Sequence, residues 1–406
     1  MSKRGIYTKE VDLCELKAQI EAHESSAWCL AWLPTKKDNN NILFSGSSNG
    51  DINMWNITIN NENKYNIIKL KTINDTISSI IDMKIITVPN NALVTLKCPW
   101  IMTVTSLDGV IRLYKLLTDD IVLFDKIDMN YPLNKYYKLM QINNNDNNKS
   151  KEYKKTLMNK EQNYFGGCWS SDINYNANII ATGDQFGQIY LYPIKSDKFD
   201  IPTIMDAQVP YIKYIQKNKK DKDNNNISKQ YRSSNSIVTT VSFNHGLHNK
   251  DWLCISCQSS KRLEIFDVNK CKSLYTMKGI YKIIRDTSWF HGKDPYILCC
   301  SDDKYIYIFD IRQSNKKNMM LTSLSGHKSS VTSIDFGPSQ PTQIIASVST
   351  DNTLRIWDLN KDTNKNIAIY NNHSDSIWKV RFNKNKNKLA TIGDDGLLNI
   401  YSINPK

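Results

Sequence analysis

One pattern limits what this chain can fold into: a short apolar strand, a small polar turn carrying Asn or Asp, and an alternating strand closed by an aromatic residue. It recurs along the chain. The clearest copies are "LFSGSSNGDINMWNI" (43–57), "IASVSTDNTLRIWDL" (345–359) and "LATIGDDGLLNIYSI" (389–403). Weaker copies are "VTSLDGVIRLYKL" (104–116), "ATGDQFGQIYLYPI" (181–194), "SCQSSKRLEIFDV" (256–268) and "LCCSDDKYIYIFDI" (298–311). The closing aromatics are Trp55, Tyr114, Tyr192, Phe266, Phe309, Trp357 and Tyr401, spaced by 59, 78, 74, 43, 48 and 44 residues. A fixed period of this size means that each unit cannot bury its apolar face alone and must stack on its neighbours.

Each unit also has an upstream strand with near-alternating apolar residues: "SAWCLAWLP" (26–34), "SIVTTVSFN" (236–244), "SVTSIDFGP" (330–338) and "SIWKVRFNK" (376–384). Four short antiparallel strands per unit read as the blade of a β-propeller. The expected architecture is all-β, a single seven-bladed propeller over 1–406. Its blades fall at about 21–76, 77–128, 164–216, 236–278, 279–325, 326–370 and 371–403 plus 13–20. The last blade stops after its third strand, and an open ring would expose a strand edge. "LCELKAQI" (13–20) alternates suitably and is expected to pair beside 396–403 and seal the ring.

The unit resembles the WD-repeat family, whose last three spacings here fit a period of roughly 40–45 residues. That resemblance implies a structural tetrad in which Asp holds His, His reaches Ser and Ser meets the Trp indole N–H. In blade six the tetrad is His327, Ser347, Asp351 and Trp357; in blade one His23, Ser45, Asn49 and Trp55; in blade seven His373, Thr391, Asp395 and Tyr401. Blades two and five keep only the turn Asp (Asp108, Asp303) and the aromatic, and blades three and four keep neither His nor Asp. The resemblance also disposes of Gly46-Ser47-Ser48-Asn49-Gly50, which matches the G-x-S-x-G nucleophile elbow. An elbow needs a helix after the serine, whereas "DINMWNI" has the close β-formers of a strand. Ser48 belongs to a turn.

No other chemistry emerges. His245, His248, Cys254 and Cys257 ("HGLHNKDWLCISC") have a zinc-like look, yet cysteines three apart on a strand face opposite sides, and buried thiols are the better reading. The His/Ser/Asp sets repeat at fixed spacing with an aromatic, which marks scaffold rather than hydrolytic triads. No P-loop and no G-x-G-x-x-G occurs, so no enzyme activity, no catalytic residue, no cofactor and no metal is expected. Nine cysteines without regular spacing suit a reducing compartment. The N-terminus lacks an apolar signal core, and no run reaches the roughly 18–20 apolar residues of a membrane helix. The expected location is cytoplasmic, with the nucleus as a second compartment.

The net charge of +13 invites a nucleic-acid reading. Two Asn/Lys-rich tracts, 143–163 and 213–232, carry +7 of it and read as solvated, disordered insertions. They leave weak, indirect attraction to RNA as the most that charge implies.

A ring without chemistry can offer its top face, built from the loops entering each first strand and the turns joining strands two and three. Trp28, Trp169 and Trp378 share one position early in the first strand. They either wedge between blades as core or line the channel mouth and grip a partner's apolar side chain. Arg285, Asp286 and Asp375 stand nearby in sequence terms and are candidates for polar contacts.

Three stretches narrow the resemblance: "AHESSAWCLAW", "SLSGHKSSV" and "NNHSDSIWKVRFNKNKNKLATIGDDGLLNIYSI". Over roughly 13–57 and 320–403 they look like the WD-repeat subunit family of the Ski (superkiller) complex. That resemblance implies a monomeric, non-catalytic propeller within a hetero-complex, bound to a tetratricopeptide-repeat scaffold and a helicase, assisting exosome-mediated 3′–5′ mRNA decay. It implies top-face capture of a short Gln/Arg-and-hydrophobic motif. Related propellers join a Paf-type transcription complex or serve meiotic recombination, and direct RNA binding through the Lys-rich loops is the alternative of a different class.

Overall fold

The computed structural model describes residues 14–35, 41–60, 64–76, 78–117, 120–128, 167–185, 187, 189–194, 237–245, 251–259, 261–270, 272–290, 296–311, 320–337, 343–359, 366–385 and 387–403. The two Asn/Lys tracts lie outside the described residues.

Twenty-seven strands form seven antiparallel sheets among the described residues, six of four strands and one of three. The three-stranded sheet is blade three, over Cys168–Ile173, Ile179–Asp184 and Ile189–Pro193. The innermost strands are Ala27–Trp32, Ile80–Thr87, Cys168–Ile173, Val238–Phe243, Ile284–Trp289, Val331–Phe336 and Ile377–Phe382. Each touches the next, and the seventh touches the first, so the circuit is closed. The molecule is a seven-bladed propeller.

The core is divided to match. Seven apolar clusters each bridge two neighbouring sheets; one joins Leu30, Leu43, Trp55 and Ile57 of blade one to Ala390, Ile392, Leu398 and Ile400 of blade seven. The second strands, buried on both faces, therefore read as continuous apolar or small runs, as in Ile344–Ser349. The outermost strands face water: Tyr65–Ile73 alternates weakly and exposes Ile68 and Leu70.

Closure is as the repeat pattern requires. Cys14–Glu21 pairs antiparallel with Leu397–Ile403, from Cys14 opposite Ile403 to Glu21 opposite Leu397. It completes blade seven, Tyr370 donates its hydroxyl to the Cys14 carbonyl at 2.6 Å, and Gln19 reaches the Asn372 carbonyl at 3.0 Å. Ser48 sits in the turn before strand Ile52–Ile59, so no helix follows it. The single helix among the described residues, Asn90–Leu96, lies between the first two strands of blade two.

Candidate functional site

The polar relay behind the face is complete in blade six. Trp357 donates its indole N–H to Ser347 Oγ at 2.8 Å, Ser347 Oγ lies 2.8 Å from His327 Nε2, and His327 Nδ1 faces Asp351 Oδ2 at 3.1 Å. Burial lowers the His327 pKa against the pull of Asp351, and Asp351 is held well below the carboxylate range by His327 and Thr353 despite its own burial. A neutral imidazole thus donates to a carboxylate. In blade seven, His373 Nε2 meets Thr391 Oγ1 at 2.8 Å and Nδ1 meets Asp395 at 3.0 Å, but the Tyr401 hydroxyl turns to Asn372 Oδ1 at 3.3 Å. Tyrosine has no N–H at the indole position, so the fourth member leaves the relay.

Blade one corrects the expectation for Asn49. His23 Nε2 lies 2.7 Å from Ser45 Oγ, and Trp55 donates to the same oxygen at 2.9 Å. Asn49 is exposed. Facing His23 Nδ1 at 3.3 Å is the amide nitrogen of Asn53, which also donates to the Ala22 carbonyl at 2.8 Å, while the Asn53 Oδ1 accepts from the Thr72 hydroxyl at 2.7 Å and fixes the amide. A donor there makes Nδ1 an acceptor, which places the proton on Nε2, the tautomer opposite to that of His327. Burial and the Lys69 charge push the His23 pKa down to about 4.

Blades two and five fill the slot with side chains that the WD pattern does not name. Arg112 bonds Asp108 Oδ2 at 2.6 Å and Ser106 Oγ at 2.7 Å. In blade five Tyr307 donates its hydroxyl to Asp303 at 2.6 Å.

The rim itself is made by one repeated irregularity. Every innermost strand shifts register at its second residue, as between Ala27 and Cys29 or Ile377 and Lys379. A bulge leaves one residue unpaired and re-aims its side chain. The residues so freed are Trp28, Ile81, Trp169 and Trp378 on one arc and Thr239, Arg285 and Thr332 on the other. They stand at the top, because the next turn of the same blade is bonded there: Ser48 N–H to the Ser26 carbonyl at 2.8 Å, Asp302 to Ile283 at 2.9 Å, Asp394 to Ser376 at 2.9 Å.

The two arcs behave differently. Thr332 bonds the Val348 carbonyl at 3.2 Å and Thr239 the Ser256 carbonyl at 3.2 Å, and Arg285 forks onto Asp302 at 2.8 and 2.7 Å. On the apolar arc Trp28 reaches Asp394 at 3.3 Å, while the indole N–H groups of Trp169 and Trp378 are shielded and find no acceptor among the described residues. All three rings are half-buried. By contrast Trp32 and Trp289, at the sixth position, are core and bond the Arg381 and Ser242 carbonyls at 2.9 and 3.1 Å.

Asp286 is the second correction. It is buried one residue past the bulge and points into the channel rather than at a partner. Arg381 bonds it at 3.0 Å, Ser333 donates at 2.6 Å, and Lys379 lies 3.6 Å from both Asp286 and Asp82. Burial would raise the Asp286 pKa; Arg381, Lys379 and Lys84 outweigh it and hold the carboxyl far below its ordinary range. Blade seven thereby braces blades two and five across the channel, a network assembled from residues too far apart in sequence for local pattern to reveal. Asp375 is exposed and accepts from its neighbour Ser376 at 2.7 Å.

The zinc-like set does not converge. His248 lies outside the described residues, His245 faces Asp172 at 3.4 Å, and Cys254 is buried with its pKa pushed up by burial. No group of three or more metal-ligating side chains occurs among the described residues, and no described helix is long and apolar enough to cross a membrane.

The family described as WD domain, G-beta repeat matches residues 14–56, 271–310, 318–358 and 364–402. Each match takes in the outer strand of one sheet and ends in the third strand of the next, so the repeat is offset from the blade by one strand. The fold is a seven-bladed propeller carrying WD repeats. The chain is 34% identical over 82 residues to nuclear distribution protein nudF 1 of Talaromyces marneffei, and 33% identical over 81 residues to nuclear distribution protein nudF of Aspergillus niger. Each alignment takes in 20% of this chain and 18% of the relative, so the chain spans less than a fifth of the relatives it matches.

Proposed function

We propose that this propeller is a protein-interaction scaffold that captures a partner segment at the mouth of its channel. The observation that carries the reading is the bulge in every innermost strand, which frees one side chain per blade and places tryptophan at three of the seven. Three half-buried indoles with Ile81 form an apolar arc for a partner's hydrophobic side chain, and aromatic anchors in such pockets dominate binding energy. The N–H groups of Trp169 and Trp378 are shielded and lack an acceptor among the described residues, so a small turn of either ring on binding would bring its N–H to a partner carbonyl.

The assembly we assign is a Ski-like complex with a tetratricopeptide-repeat scaffold and a helicase, supporting exosome-mediated 3′–5′ mRNA decay. The support is the resemblance of 13–57 and 320–403, which carry the best-formed blades. The likeness to the nuclear distribution proteins offers a competing role, in nuclear distribution.

Affinity purification followed by mass spectrometry separates these readings. Recovery of a helicase together with a tetratricopeptide-repeat protein is expected from the wild type. A Trp28→Ala/Trp169→Ala variant of unchanged melting temperature should lose both, with each indole contributing about 2 kcal/mol. Undiminished recovery by that variant contradicts capture at the rim; recovery of other complexes contradicts the Ski-like assignment alone.

A further inference from the structure

The turn between the second and third strands carries a left-handed residue in all seven blades: Gly50, Gly109, Gly187 and Gly396 in four and Asn352 in blade six, but Lys261 (φ 47°) in blade four and Lys304 (φ 78°) in blade five. Glycine occupies this region without strain, whereas a side chain there is disfavoured. Strain kept at one place directs attention to what it positions. Both lysines are exposed, on neighbouring blades, at the face that bears the rim.

Beside Lys304, one carboxylate gathers two chain segments. Asp303 accepts the Tyr281 N–H at 3.3 Å, the Tyr305 N–H at 3.2 Å and the Tyr307 hydroxyl at 2.6 Å. This holds Tyr281 at 75% exposure next to Tyr305 at 42%, although both are large side chains with apolar rings. Lys278 and Lys282 flank Tyr281 and are exposed. None of these four lysines forms an ion pair among the described residues.

We propose that the top of blades four and five is a docking surface for an acidic protein segment, its carboxylates on Lys261, Lys282 and Lys304 and an apolar side chain between Tyr281 and Tyr305. Charge complementarity selects the occupant. A continuous phosphate backbone would run over Asp302 and Asp303, and Arg285, the guanidinium suited to forking a phosphate, is already committed to Asp302. Spaced carboxylates can straddle those acids. This surface is distinct from the apolar arc of blades seven, one, two and three, and either can operate without the other.

The test uses the full chain and fluorescently labelled probes: a short peptide of alternating Glu and Leu, the same peptide with Lys for Glu, and an oligouridylate of similar length. The acidic peptide should bind with an affinity that falls as salt rises. A Lys261→Gly/Lys304→Gly variant should bind it about tenfold more weakly, roughly 1.4 kcal/mol, while melting at an equal or higher temperature because glycine relieves the turn. Tyr281→Ala should weaken binding by a similar factor. The proposal is overturned if the acidic peptide fails to bind the wild type, if the oligouridylate binds more tightly, or if the glycine variant keeps wild-type affinity.

Discussion

In blade six a Trp, a Ser, a His and an Asp form one relay with every buried polar group satisfied; in blade two the same slot holds Arg112 between Ser106 and Asp108, and in blade five Tyr307 against Asp303. The requirement on a sheet is that buried donors and acceptors be paired, and more than one set of side chains meets it. Blades six, seven and one keep the His-based set and close the ring with Cys14–Glu21. The side running from blade two to blade five departs from it, and that side also carries the two left-handed lysines and the exposed tyrosines. Departure from the repeat therefore coincides with the surface features that no fold requirement explains.

The sharpest way to break the comparison is at the seal. Removing residues 14–21 uncovers the Leu397–Ile403 edge and the apolar surface around Cys14, Phe382 and Tyr401, and should leave no cooperative melt and an aggregated profile on size exclusion. A truncated chain that melts like the wild type would show the seal to be incidental. Next is the channel brace that ties the two sides together. Asp286→Ala leaves Arg381 without its bonded carboxylate and Lys379 with Asp82 alone, and should cost about 3–5 kcal/mol in urea unfolding; a cost under about 1 kcal/mol would mean that the ion pairs are solvated.

Two matched substitutions then weigh the relays. Ser347→Ala strands the Trp357 N–H, and Arg112→Met takes the guanidinium from Asp108 Oδ2 while Oδ1 keeps Ser106 and Val110; each should cost about 1–3 kcal/mol. A negligible cost in blade two alone would show its substitute to be ornamental. Comparable in size is the acid sensitivity from His23. In the unfolded chain this imidazole takes a proton near pH 6.5, and in the fold only at about 4, so acidification between those values favours the unfolded chain. His23→Gln should remove about 2 kcal/mol of the stability lost between pH 7 and 4. Asn49→Ala, on the exposed turn, should change nothing beyond about 0.5 kcal/mol.

These contrasts show where the sequence speaks. The repeat, the closing strand and the relays of His327 and His373 are legible because strand alternation and turn spacing are local. Asn49 misleads because it occupies the spacing of Asp351, yet it is exposed, and the Asn53 amide, fixed by Ala22 and Thr72, supplies the contact to His23 instead. Asp286 misleads for another reason. Simple alternation along its strand omits the bulge, which turns Arg285 to the rim and Asp286 into the channel. The brace to Lys379 and Arg381 joins blades that no local pattern relates. The rim tryptophans stand out as a repeated position, but the bulge that aims them is visible only in the register.

The most direct measurement of the central claim is site-specific photo-crosslinking in cells, with benzoylphenylalanine replacing Trp28 or Trp169 on the rim and, for contrast, Leu70 on the outer edge. The account predicts that the two rim positions crosslink to the same partner polypeptide and that Leu70 does not. Crosslinks from Leu70 with none from the rim would contradict it.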